Sequence, residues 1–221
     1  GNVIGFLQHH QGFDFIESIE ALAARSGMEV PYENTSSPSQ DKDPLYEVLK
    51  AAAVFFEKNL ADSNKASHVR EYILKQRKIS GDVCKKFSLG YASKSWDELS
   101  ILMLEKGFSE EALLKAGLSK RNKDNKLFDV FRDRLIFPIK DRKGRVVGFG
   151  GRVMNPDDQP KYLNTGETSV FQKSRELYGL FEALEFRKEL NKIYVVEGYM
   201  DSIALYAVSY THLRAHETKA N

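Results

Sequence analysis

Cysteine is almost missing from this chain of 221 residues: Cys84 stands alone, which excludes an internal disulfide and leaves no thiolate cage for a zinc ion. Long apolar runs are missing too. No stretch approaches the ~20 residues that a membrane-spanning helix needs, and the first residues lack the basic, apolar and small succession of a secretory leader. A cytoplasmic protein with no membrane partner is expected. Low-complexity tracts and internal repeats are absent, and 42% hydrophobic with 29% charged residues lies in the globular range. The length suggests about 1.5 domains. His9, His10 and His68 have no Cys or acidic residue at ligand spacing, so they make no metal site. Cys84 sits in a helical, Lys-rich stretch without a base, where it reads as a small buried apolar residue rather than a nucleophile.

The formal net charge of +2 says little until it is divided along the chain. Residues 1–60 hold four Lys/Arg against nine Asp/Glu, a balance of −5, whereas residues 120–161 hold twelve against six, a balance of +6. Such a basic block suits a polyanionic partner, although a solvated basic face would look the same.

The opening GNVIGFLQHHQGFDF has no Met and enters as if an element before it had been cut away. From Asp14, Phe15, Ile16, Ile19, Leu22 and Ala23 follow helical spacing, with Asp14 placed to cap and Gly27 to terminate. Residues 34–44, NTSSPSQDKDP, read as a connector. Leu45, Val48, Leu49, Ala52, Phe55, Phe56 and Leu60 then trace one helical face, and shorter helical patterns fall at 69–75, 82–87, 96–106 and 110–116. After Lys126 the texture changes. LIFPIKDRKGRVVGFGGRVM alternates on both sides of Asp141-Arg142-Lys143-Gly144, as a β-hairpin does, and Pro138 points to an edge position or a bulge. The expected fold class is α/β (α+β): a mostly helical N-terminal part, an antiparallel hairpin region, then a strand and helix.

That last strand is Ile193-Tyr194-Val195-Val196, read as buried and parallel, with Glu197 at its carboxyl end, Gly198 for a sharp turn and a helix starting near Asp201. Two carboxylates at such an edge can converge on one hard cation, because Mg²⁺ takes oxygen ligands and keeps several waters. They can equally be a strand-end acid in water and a helix cap. The Gly148-Phe149-Gly150-Gly151 run would let backbone approach a phosphate that Arg152 grips and Lys161 neutralises, or it marks tight packing within a strand. Phe128, Phe131, Phe149 and Tyr162 lie among these cations, either to stack bases or to fill a core.

Three segments together resemble the bacterial DNA primases, the DnaG-type enzymes whose catalytic centre is a Toprim fold: Phe131–Arg152, Pro160–Leu180 and VVEGYMD at Val195–Asp201. The resemblance covers about residues 1–207. It implies an enzyme that makes short RNA primers on a single-stranded DNA template from nucleoside triphosphates, a nucleotidyltransferase acting with a replicative helicase. It implies Glu197 as the catalytic and metal-binding acid and Asp201 as its metal-associated neighbour, with Mg²⁺ or Mn²⁺. It implies Arg152 and Lys161 as cations of the nucleotide and template groove, and Arg132, Arg134, Lys140 and Arg145 of the basic block join them as expected nucleic-acid contacts. It further implies Zn²⁺ in a domain upstream, of which residues 1–32 would be the end. Residues 33–44 would then be linker, 45–190 the N-terminal part of the polymerase core and 191–207 the start of Toprim.

The chain departs from the family in places. Arg77-Lys78 stands, with one extra residue, where relatives read Arg-Gly, so Arg77 is not ranked among the sites. The later DxD motif does not arrive, so this piece is expected to be inactive, and Ile193–Val196 are expected to present unpaired backbone. Residues 208–221 read as a non-native tail. The rival readings are a non-catalytic single-strand-binding module and another Toprim protein, topoisomerase-like or recombinational; the GFGGR and PKYLN segments argue against the latter.

Overall fold

The computed structural model describes residues 3–6, 18–19, 22–23, 44–186 and 192–217, and the chain divides into two compact units, Gly1–Asp41 and Lys42–Asn221. In the first unit residues 3–6, 18–19 and 22–23 are helical. The caps expected at Asp14 and Gly27, and nearly all of the expected connector, lie outside the described residues.

The second unit opens on α1, Pro44–Ala61, with Pro44 at its first position, where a missing N–H costs nothing, Glu47 in the first turn and Lys58 in the last. Its apolar stripe is buried as the spacing predicts, with Val48, Leu49 and Ala52 fully enclosed. Helix α2 covers Ser63–Glu71, and Asp62 caps it by accepting from the Asn64 amide at 2.9 Å. It runs into a π turn, Tyr72–Gln76. Helix α3, Gly81–Lys86, is capped by Ser80 and followed by strand β1, Gly90–Ala92. Then come α4 (Glu98–Glu105), α5 (Glu110–Lys115) and a hairpin of β2 (Ser119–Arg121) with β3 (Leu127–Asp129).

Strands β4 (Arg134–Lys140) and β5 (Val146–Val153) form the hairpin expected around Asp141–Gly144. Gly144 takes φ +81°, and the Asp141 carboxylate accepts from the Lys143 and Arg145 amides, both at 2.9 Å. With β1 and β6 (Tyr162–Asn164) they make one antiparallel sheet in the order β1-β4-β5-β6. Pro138 sits in an inner strand, yet β1 reaches only as far as Ile136 on β4, so no ladder is lost on that flank, and the register shifts just beyond, between Ile139 and Lys140.

The sheet is covered on both faces. Ile136 and Phe149 join α1, α4 and α5 in one cluster, while Leu135 and Phe137 join Val69, Ile73, Val83, Met200 and Ile203 in the other. Helix α6 is Leu180–Phe186 and α7 is Tyr199–Glu217, its backbone helical well into the segment read as a tail. Among the described residues no helix is long and apolar enough to cross a membrane.

Ile193–Val196, read as a buried parallel strand that this piece would leave with unpaired backbone, does present unpaired backbone, and the buried strand does not form. Residues 192–197 join no ladder, and Ile193, Tyr194 and Val195 are 53%, 78% and 73% exposed. A strand needs a neighbour to pair its backbone, and no strand among the described residues lies beside this one. Apolar content carried the expectation; hydrogen-bonding partners decide the outcome.

Candidate functional site

Arg152 leaves β5 where its guanidinium carbon lies 5.4 Å from the centre of the Tyr72 ring and 5.2 Å from that of Tyr162. It donates to the Tyr162 hydroxyl. Arg77, which caps the end of the π turn, folds back onto the same ring: Arg77 Nε donates to the Tyr72 hydroxyl at 2.6 Å, and its guanidinium is 5.2 Å from that ring. A π turn takes one residue more than an α turn, and just beyond it Lys78 adopts the left-handed φ of +55°. Tyr162 continues to Tyr199 at 6.3 Å between centroids, and the Tyr199 hydroxyl donates to Asn164 Oδ1 at 2.8 Å. The result is a row in which cation and ring alternate, Arg77, Tyr72, Arg152, Tyr162, extended by the ring of Tyr199, with exposed Lys161 beside it in sequence. A planar guanidinium held between rings keeps donors free for phosphate, while exposed ring faces suit bases.

A second group, the exposed Trp96 with half-buried Phe128 and Arg132, involves an earlier part of the basic block. Arg132 lies 4.3 Å from the Trp96 ring centre and 5.4 Å from that of Phe128, the two rings are 5.4 Å apart and tilted by 31°, and Trp96 is 54% exposed.

The neighbouring cations expected to touch nucleic acid point elsewhere. Arg134 is 6% exposed, and its Nη1 donates to the Pro160 carbonyl at 2.8 Å and that of Gly151 at 3.3 Å; burial lowers its pKa. Asp133, at φ +46°, separates it from the outward Arg132. Lys140 Nζ is 3.0 Å from Glu182, with Phe181 at 5.6 Å. Arg145 lies over Tyr46 at 4.2 Å, and its Nε donates to Asp141 at 2.7 Å. Each of the three has at least one donor engaged by a carbonyl or carboxylate inside the unit, which ties it to the fold.

The glycine run is no phosphate cradle either. A Cβ on Gly150 would meet Tyr199 at 2.5 Å, one on Gly151 would meet Phe131 at 2.8 Å, and one on Gly148 would meet Phe171 at 3.3 Å. Phe131 and Phe149, 2% and 0% exposed, are core, whereas Phe128 and Tyr162 belong to the two groups of rings and cations.

Glu197 and Asp201 are both exposed and line one open cleft together with Tyr162, Asn164, Lys173 and Tyr199. Asp201 sits in the first turn of α7, its amide donating to the Gly198 carbonyl at 3.1 Å. Two water-facing carboxylates are hard oxygen donors, and they match the one or two that Mg²⁺ takes from protein when waters and phosphates fill its other positions. No group of three or more metal-binding side chains occurs among the described residues.

Residues 55–184 match the family model for the DNA primase catalytic core, N-terminal domain. The DNA primase of Pseudomonas aeruginosa is 45% identical over 211 residues, which are 93% of this chain and 32% of that protein, so the chain spans about a third of such curated relatives. A DnaG primase catalytic domain solved bound to ssDNA is similar with a TM-score of 0.67 and 41% identity, over 74% of this chain and 52% of that one. The Aquifex aeolicus primase, solved with its zinc-binding and RNA polymerase domains, is similar with a TM-score of 0.67 and 34% identity, over 94% of this chain and 49% of that one.

Proposed function

The chain belongs to the DNA primase family, and from that premise we propose that it is the template- and nucleotide-gripping part of an enzyme that synthesises RNA primers on single-stranded DNA. The observation that carries this reading is the placement of Arg152 between Tyr72 and Tyr162, with Arg77 closing the row. In this reading Arg152, Arg77 and Lys161 neutralise phosphates, the rings stack on bases or sugars, and Trp96, Phe128 and Arg132 form a second contact further along the strand. The ssDNA bound by the similar catalytic domain supports the partner.

Glu197 and Asp201 serve as metal-holding acids, and Glu197 assists removal of the proton from the attacking hydroxyl. A divalent cation bound there, Mg²⁺ or Mn²⁺, would supply positive charge for the reacting phosphates. Zn²⁺ would belong to the domain whose end is residues 1–32, as the Aquifex relative's composition supports; with Cys84 alone, this sequence has no cage for it. On the same reading residues 33–44 are linker, 45–190 the core's N-terminal part, 191–207 the start of Toprim and 208–221 a non-native tail. RNA primer, nucleoside triphosphates and a replicative helicase are the further partners, within a primosome in the cytoplasm.

Titrating a fluorescent oligothymidylate at several salt concentrations tests the reading. Arg152→Ala and Lys161→Ala should each weaken binding and flatten the logarithmic salt dependence by about 0.7, the share of one phosphate contact on a single strand. An Arg152→Ala chain that binds like the unaltered one at every salt would overturn it.

A further inference from the structure

Helix α4 begins two residues after the exposed Trp96, and its own N-cap residue, Asp97, makes no side-chain capping hydrogen bond. Its first amides are satisfied from far away in sequence. Asp129, the last residue of β3 and 4% exposed, accepts from the Leu99 amide at 2.8 Å through one carboxylate oxygen and from the Ser100 amide at 2.9 Å through the other. The Ser100 hydroxyl also donates to Asp129 and lies 2.8 Å from the Ser119 hydroxyl on the paired strand β2. The backbone of the same residue completes the group. The Asp129 amide donates to the Trp96 carbonyl at 2.8 Å, and the Asp129 carbonyl accepts from Arg132 Nη1, the guanidinium that covers the Trp96 ring.

We propose that Asp129 is the positioning residue of the Trp96–Arg132 stack, fixing ring and guanidinium against each other through its carboxylate and backbone while touching no nucleic acid itself. The inference rests on reading that stack as a base-contacting surface. Trp96 is more than half exposed and Arg132 is a long, half-buried side chain, so enclosure alone does not fix the pair. Both are tied to one buried residue whose two carboxylate oxygens are each engaged by a helix amide. Changing the carboxylate to an amide turns two strong acceptors into one acceptor and one donor, so either Leu99 or Ser100 loses its partner and the start of α4 loosens beneath Trp96.

Because Trp96 is the one tryptophan of the sequence, its fluorescence reports the stack directly. Asp129→Asn should shift Trp96 emission and raise its quenching by acrylamide, and should weaken oligothymidylate binding about tenfold, the order expected for losing one stacked base. Glu182→Gln, which destabilises the unit at a distant site, should leave Trp96 emission unchanged and so separates positioning from lost stability. If Asp129→Asn does not fold, Ser100→Ala, which removes one hydroxyl donor, is read in the same way with a smaller shift. Unchanged emission and quenching in the folded variant, while Arg132→Ala still weakens DNA binding, overturns the positioning role and leaves the DNA reading standing. A shifted emission with DNA affinity unchanged in both Asp129→Asn and Arg132→Ala supports the positioning role and overturns the DNA reading of the stack.

Discussion

Lys140 Nζ lies 3.0 Å from a carboxylate oxygen of Glu182, and the two side chains keep only 11% and 3% of their exposure. The pair joins the β4–β5 hairpin to α6, the last described element before the acidic segment. Removing one partner strands a charge without water. Lys140→Met should cost about 3–5 kcal/mol by denaturant unfolding, and Lys140→Met with Glu182→Met should recover most of that loss. Oligothymidylate affinity of the folded single variant should not change, since this lysine faces inward.

Gly150 gives room to Tyr199, which stacks on Phe137 at 5.0 Å and 11° and donates to Asn164 at 2.8 Å. A ring held from two sides cannot step aside for a methyl group. Gly150→Ala should therefore lower stability by about 1–3 kcal/mol, and the same displacement should perturb the start of α7 and with it Asp201. A thermal melt gives the first effect and amide hydrogen exchange over residues 199–203 the second.

How much of this was legible in the sequence depends on how far apart the partners lie. The α1 stripe and the hairpin around Gly144 repeat within a few residues, so periodicity and turn chemistry reveal them. Capping of α4 by Asp129 spans 29 and 30 residues, and Lys140 meets Glu182 across the fold, so nothing local distinguishes those side chains from solvated ones. For the same reason Arg134, Lys140 and Arg145 looked like Arg132 and Arg152. Arg77, left unranked because of the extra residue read beside it, is brought to Tyr72 by a π turn that no local pattern announces. Ile193–Val196 has strand composition, and composition carries no information about a pairing partner. Strand-end and glycine-run patterns marked Glu197, Asp201, Arg152 and Lys161 as candidates with structural alternatives open, and the motif-level resemblance favoured the functional side.

Burial pushes the Cys84 thiol up to about 11 from an ordinary 9.0 and the Tyr199 hydroxyl up to about 12. At pH 8 the folded thiol is ionised in about one molecule in a thousand, so iodoacetamide should react with it far more slowly than in urea. Between pH 9 and 11 the unfolded chain has released the thiol proton that the folded chain retains. Stability therefore falls as pH rises through that window, and the tyrosine extends the fall upward. A urea midpoint that stays level from pH 8 to 11 would contradict this.

The unpaired segment and the helix after it should behave oppositely. Ile193→Lys with Val195→Lys alters side chains that are 53% and 73% exposed, and it should raise solubility while shifting stability by less than about 0.5 kcal/mol. Deleting residues 191–221 removes the exposed patch but also Met200 and Ile203, 6% and 0% exposed in the core. That deletion should lower the melting temperature, at about 2–5 kcal/mol for the loss of each such side chain.

The most direct test is RNA primer synthesis on a single-stranded DNA template by a protein of the relatives' length carrying this chain with Glu197→Gln. The account predicts synthesis reduced about 10²–10⁴-fold with template affinity intact, since Arg152 and Arg77 still grip the strand. Primers made at the undiminished rate would contradict it.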